Sequence, residues 1–134
     1  MGTIAIPEPD PAILARRGEI VRDLGKLVSG EGVISDPTEL VPFETDAFTA
    51  YRRVPLAVVL PQSTEEVAAV LKYCHRAGLP VIPRGAGTSL SGGAIPQQDA
   101  VVIGIAKMSR VLNVNYDNRT ATVQAGITNL RVSD

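Results

Sequence analysis

Leu56-Ala57-Val58-Val59-Leu60 runs into Pro61, then Ser63-Thr64-Glu65-Glu66, and Val67, Val70, Leu71, Cys74 and Ala77 follow at helical spacing before Gly78. Leu79-Pro80-Val81-Ile82-Pro83 comes next, and then Arg84-Gly85-Ala86-Gly87-Thr88-Ser89-Leu90-Ser91-Gly92-Gly93. The first run is short, continuous and apolar, as a strand buried on both faces must be. Pro61 ends it. Ser63 and Glu66 have the spacing of a capping box, the apolar residues line one face of a helix, and Gly78 stands where a left-handed C-terminal glycine belongs. Strand Pro80–Pro83 completes a βαβ unit, which places the glycine-rich run at the carboxyl end of its second strand.

That run holds four glycines, three hydroxyls and one arginine between Pro83 and Gly93. Glycine lets backbone amides turn inward and approach a ligand closely. Ser and Thr add hydroxyl donors, and Arg adds a charged fork. The chemistry suits a phosphate or pyrophosphate. Most glycine-serine stretches are only turns. This one lies between two apolar strand-like runs, 79–82 and 100–105, so it is not a linker. It lacks the Lys-Ser/Thr pair of a Walker loop. It also lacks the following helix of a dinucleotide fingerprint, because Ala94-Ile95-Pro96-Gln97-Gln98-Asp99 reads as a turn. Both common nucleotide folds are disfavoured, and an anion nest is what remains.

Upstream, three prolines in residues 7–11 read as an irregular arm. Ile13, Leu14, Ile20, Val21, Leu24, Leu27 and Val28 predict one helix over 12–28, with a break at Gly18 and Gly30 and Gly32 after its end. Arg16, Arg17, Arg22 and Lys26 are expected mostly on its outer face. Asp36, Pro37 and Glu39 predict a capped short helix over 37–41. Residues 42–55 read as irregular, with Phe43 and Phe48 pinning the segment to the core. Downstream, 101–105 reads as a strand, and 111–116 and 120–125 as an antiparallel hairpin turning at Asp117-Asn118-Arg119. Tyr116 is expected to pack across the strands. Thr128 or Asn129 can cap a helix that begins near the last residues, as expected of the front piece of a larger protein.

The chain has 134 residues, a formal net charge of −1 and 45% hydrophobic residues, which fits one globular domain and gives no electrostatic reason to expect nucleic acid. The lone Cys74 excludes an intramolecular disulfide and the lone His75 excludes a polyhistidine metal site. Cys74 lies on the apolar stripe and reads as core, with His75 at the surface. The two are helix neighbours and cannot face each other. The spacing shows no catalytic triad, metal-ligand set or forced carboxylate pair. Catalytic residues and metal ligands are therefore assigned to none. No stretch is apolar enough to span a bilayer. Residues 1–7 lack a signal-peptide pattern, and Ile6 stands where a myristoylation signal wants Ser or Thr. A cytoplasmic location is expected, peripheral to a membrane only through partners.

Three stretches in order, 55–67, 78–93 and 123–130, resemble the FAD-binding domain of the vanillyl-alcohol oxidase, or PCMH, type. Within that type the chain is similar to the FAD-linked subunit of glycolate oxidase and to D-lactate dehydrogenases. The likeness runs from about residue 20 to the end. It implies an α+β fold in which the βαβ unit and the hairpin form the N-terminal part of the FAD-binding domain. Residues 1–30 would then be an arm and helix, and 31–134 a truncated subdomain.

The resemblance also implies site residues. Pro83 leads into the loop, and the backbone amides of Arg84, Gly85, Ala86, Gly87, Thr88 and Ser89 would wrap the FAD pyrophosphate. Ser91, Gly92 and Gly93 would continue the cofactor wall. Pro61 would lie near the adenine half, and Gly126 would approach the flavin side. Ala86 and Thr88 stand where a covalent-flavin histidine would be sought, so the FAD is expected to be noncovalent. A glycolate- or lactate-like 2-hydroxy acid would reduce the flavin, and an electron acceptor and partner oxidase subunits would complete the reaction. Substrate arginines and the catalytic acid or His would lie downstream. The piece alone would be inactive, and its open edges would favour self-association. The alternative from the residues themselves is a non-catalytic nucleotide- or phosphate-binding or interaction module.

Overall fold

Val101–Gly104 is buried along its whole length, and the main sheet is built around it. The computed structural model describes residues 7–133. The N-terminal targeting and myristoylation readings rest on residues 1–7, of which 1–6 lie outside the described residues. In chain order the elements are α1 (Pro11–Ala15), α2 (Arg17–Gly25), β1 (Val33–Ile34), α3 (Pro37–Leu40), β2 (Ala57–Val59), α4 (Thr64–Ala77), β3 (Val81–Arg84), β4 (Val101–Gly104), β5 (Val111–Asn115), β6 (Thr120–Val123) and α5 (Asn129–Ser133).

The sheet order is β1-β2-β4-β3, with β2 and β3 both parallel to β4 and β1 antiparallel to β2. The expected βαβ unit is therefore β2-α4-β3, with β4 inserted between its two strands. Alternate residues supply two cores. Ala57, Val59, Val101 and Ile103 pack with Ile20 and Leu24 of α2 and Val70 and Cys74 of α4. Val58 and Val102 face the other way, onto Leu40, Phe43 and Ile82. Both faces are covered, which is why β2 and β4 read as unbroken apolar runs.

The first helix begins earlier and breaks earlier than its sequence suggests. Asp10 caps it by accepting the Ala12 amide at 2.8 Å, with Pro11 in the first turn. The break falls at Arg16 (φ −93°, ψ 7°), not at Gly18, and helix geometry stops at Gly25. Arg17 does not decorate the outer face. Its guanidinium donates to the Leu56 carbonyl at 3.2 Å and to the Ser35 carbonyl. It thereby ties the first helices to the entry of β2. Asp36 caps α3 as its position predicts, accepting the Thr38 amide. A 3₁₀ turn over Val41–Phe43 continues α3.

The cap of α4 keeps half of the expected box. Ser63 accepts the Glu66 amide at 3.2 Å, but Glu66 reaches the Gln62 amide at 2.8 Å and the amide and hydroxyl of Ser29. The Ser29 hydroxyl and the Gln62 amide hold the Glu66 carboxyl below its ordinary 4.5. Gly78 ends α4 in the left-handed region at φ 68°. Cys74 is completely buried, and burial pushes its thiol up to about 11. Native protein at pH 8 is therefore expected to resist alkylation at Cys74, with rapid modification only in denaturant. Mass spectrometry before and after unfolding checks this.

The β5–β6 hairpin stands as its own two-stranded sheet, with a register shift between Val111 and Asn113. Tyr116 does not pack across it; the ring sits at the turn and is 86% exposed. Leu112 and Val114 are also exposed. Gln124, at the base of the hairpin, is buried. Its carbonyl oxygen accepts the Arg110 amide at 3.0 Å and its amide donates to the Gln62 carbonyl at 3.1 Å. This links the hairpin to the β2–α4 turn.

Candidate functional site

Parallel pairing brings the carboxyl ends of β2, β3 and β4 to one edge of the sheet. Open parallel sheets bind ligands at that edge, because the loops that leave it are free to vary. The glycine-rich run leaves β3 there, and residues 105–108 leave β4 beside it. The Ile105 amide donates to the Arg84 carbonyl at 3.2 Å, which holds the two exits together.

The segment after the hairpin seats against the β4 exit. The Gly126 amide donates to the Met108 carbonyl at 2.8 Å. A Cβ on Gly126 would lie 1.9 Å from the Ile105 carbonyl oxygen, so no other residue permits this approach. A cleft of about 390 Å³ results, lined by Gly85, Ala86, Ile105, Ala106, Gly126 and Thr128 among others. A second cleft of about 280 Å³ is lined by Pro83, Gly85, Ala86, Gly87, Thr88 and Ser89, with Gly93 and Ala94. The two share Gly85 and Ala86, so this part of the loop forms a wall common to both.

Among the described residues, the amides of Ala86, Gly87, Thr88, Ser89, Leu90, Gly92 and Gly93 donate to no protein acceptor. Gly87 and Gly92 have φ of 72° and 75°, the left-handed conformation that turns successive amides to one side. Ser91 differs, with its amide donating to the Ser89 hydroxyl at 3.2 Å. A run of uncommitted amides on a fixed strand end forms a cradle of free donors that can accept an anion.

Several candidate residues sit otherwise than their type suggests. The Arg84 guanidinium does not point into the cradle. It turns back and donates to the Thr45 carbonyl at 2.7 Å and the Pro42 carbonyl at 3.2 Å, 5.5 Å from the centre of the Phe43 ring. Pro61 is fully buried and lines neither loop cleft. Phe43 packs against the second core, but Phe48 is 39% exposed and meets Tyr51 in a tilted pair, with centroids 5.7 Å apart and planes at 52°. His75 is exposed on α4, away from the sheet edge. Among the described residues there is no group of three or more His, Cys, Asp or Glu that can hold a metal ion.

Asp46 has a role that its sequence position does not announce. It is 4% exposed, and its carboxylate accepts the Phe48 amide at 2.8 Å and the Ala94 amide at 3.4 Å. The first bond is an Asx turn, legible in any Asp of an irregular stretch. The second crosses 48 positions and leaves no local trace.

The family model described as "FAD binding domain" matches residues 55–134, more than half of the chain. The chain belongs to the FAD-binding domain family. The matched region starts at the entry of β2 and contains the whole glycine-rich loop, both clefts and the hairpin. Glycolate oxidase subunit GlcD of Escherichia coli K12 is 40% identical over 129 residues, covering 96% of this chain and 25% of that protein. The D-lactate dehydrogenase of Archaeoglobus fulgidus is 37% identical over 116 residues, covering 85% of this chain and 25% of that protein. Among solved structures, p-cresol methylhydroxylase superposes with a TM-score of 0.77 at 21% identity, covering 94% of this chain and 25% of that one.

The FAD-binding domain described here thus spans about a quarter of the length of the relatives it matches. Its α+β architecture, a βαβ unit followed by an antiparallel hairpin, is that of the N-terminal part of a PCMH-type FAD-binding domain. Among the described residues, no helix is long and apolar enough to cross a membrane.

Proposed function

We propose that this chain binds the pyrophosphate of noncovalent FAD on the amides of Ala86–Ser89 and of Gly92 and Gly93, as part of an enzyme that oxidises a 2-hydroxy acid. The observation that carries the proposal is the run of uncommitted amides at the carboxyl end of β3, in a chain of the FAD-binding domain family. Backbone donors suit a pyrophosphate because they are fixed before it arrives and need no counter-charge of their own. Gly85 and Gly126 bring backbone to both sides of the larger cleft, which leaves room for an extended cofactor. Bound FAD supplies a two-electron acceptor for the hydride of the carbon that bears the hydroxyl. The substrate class rests on likeness to the glycolate oxidase subunit and the D-lactate dehydrogenase.

The role of the described residues is to bind and orient, and none of them is assigned to proton or hydride transfer. The test is anaerobic addition of glycolate or D-lactate to the whole protein loaded with FAD. Bleaching of the visible flavin absorption is the expected result. A bound flavin that no small 2-hydroxy acid reduces would remove the substrate class and leave only the binding function.

A further inference from the structure

The segment Pro42–Phe48 touches both ends of the glycine-rich loop. At the start of the loop, Arg84 donates to the Pro42 and Thr45 carbonyls over the Phe43 ring. A Cβ on Gly87 would lie 2.2 Å from a terminal nitrogen of that guanidinium, so the loop folds directly over it. At the end of the loop, the buried Asp46 carboxylate accepts the Ala94 amide at 3.4 Å. A Cβ on Gly92 would lie 3.6 Å from the Phe48 ring. The segment is also bonded within itself. Asp46 also accepts the Phe48 amide, the Thr45 hydroxyl donates to the carbonyls of Asp46 and Phe48, and Phe43 is packed into the second core.

We propose that Pro42–Phe48 is a clamp that sets the shape of the glycine-rich loop from below, with Arg84 and Asp46 as positioning residues for the FAD pyrophosphate. A glycine-rich loop pays a large ordering entropy if it closes only on its ligand. Two side chains that anchor its ends before binding reduce that cost. Arg suits the first anchor because one planar fork, held over an aromatic ring, fixes two separated carbonyls in a set geometry, whereas the ammonium of Lys is a compact point donor. The same turn of the guanidinium explains why Arg84, the one cation in the loop, stays out of the cradle. The cofactor half of the proposal rests on the FAD reading, whereas the clamp itself concerns only the ligand-free protein.

Two readouts separate these halves. The first is the rate of chymotrypsin cleavage after Leu90, which is 76% exposed, in ligand-free whole protein. Arg84→Gln and Asp46→Ala are each expected to raise that rate about three- to tenfold, the size of one lost hydrogen-bonded anchor, without a comparable rise at sites in the core. Arg84→Lys and Asp46→Asn, which keep part of the bonding, are expected to fall between those variants and the parent. The second is FAD affinity, expected to weaken in the same order. An unchanged cut at Leu90 in all four variants overturns the clamp, whatever FAD does. A faster cut with undiminished FAD affinity overturns the positioning role. If the parent protein binds no FAD, the FAD reading fails and the cleavage rates alone decide the clamp. Should Asp46→Ala not fold, Asp46→Asn and the Arg84 pair carry the same comparison.

Discussion

Gly126→Ala is expected to abolish the seating of the post-hairpin segment on the β4 exit. The added methyl carbon would stand 1.9 Å from the Ile105 carbonyl oxygen and 2.9 Å from the Met108 carbonyl oxygen. Both obstacles are backbone, so no rotamer change relieves them. The segment must lift away, and the 2.8 Å bond from the Gly126 amide to Met108 goes with it. Overpacking of this kind costs about 3 kcal/mol or more when the neighbours cannot move. For a domain of this size that is a fall in melting temperature of roughly 10 °C. The larger cleft loses one wall at the same time, because Gly126 and Thr128 line it. A thermal melt and an FAD titration check both effects. A variant that melts with the parent and binds FAD as tightly would show that the segment does not sit there.

Gly87→Val is expected to act on the loop and leave the sheet intact. Gly87 has φ 72°, where a β-branched residue is strained by about 1–2 kcal/mol. Its Cβ would lie 2.2 and 2.5 Å from atoms of the Arg84 guanidinium. The guanidinium must then leave, and its bonds to Pro42 and Thr45 are lost as well. Strain and lost charged bonds together reach about 3 kcal/mol or more, so FAD affinity should fall about a hundredfold or further. Gly93→Ala is the control: its Cβ meets nothing within 4 Å and its φ is not positive, so its melt should match the parent. Equal FAD affinity for Gly87→Val and the parent would mean that the loop shape is irrelevant to binding.

Much of the fold is legible because local and global signals agree. β2 and β4 are continuous apolar runs because two cores clasp them, and α4 carries its cap, its stripe and its terminal glycine within one stretch. The misses have a common cause. Arg17 reads as a surface charge and Arg84 as a ligand-facing one, yet they are committed to backbone carbonyls 18 and 39 positions away, and Asp46, read only as part of an irregular stretch, reaches an amide 48 positions away. Such bonds satisfy isolated carbonyls and amides left over by irregular chain, and nothing in the spacing of the sequence marks them. β1 was hidden for a similar reason, since it is only two residues long and exists through its pairing with β2. Tyr116 misled because alternation continues one residue past the strand into the turn. The composition of the glycine-rich loop points to an anion-binding element, but its uncommitted amides and its supporting segment show only in the folded chain.

The pyrophosphate role proposed for the loop after β3 separates FAD from smaller flavins. The most direct measurement is a comparison of FAD with riboflavin, which shares the isoalloxazine but carries no phosphate, in titrations of the whole protein stripped of flavin. Binding of FAD at least about a hundredfold tighter than riboflavin, with the difference collapsing in Gly87→Val, is the expected result. Equal affinity for the two ligands, or an FAD preference that Gly87→Val leaves untouched, would contradict it.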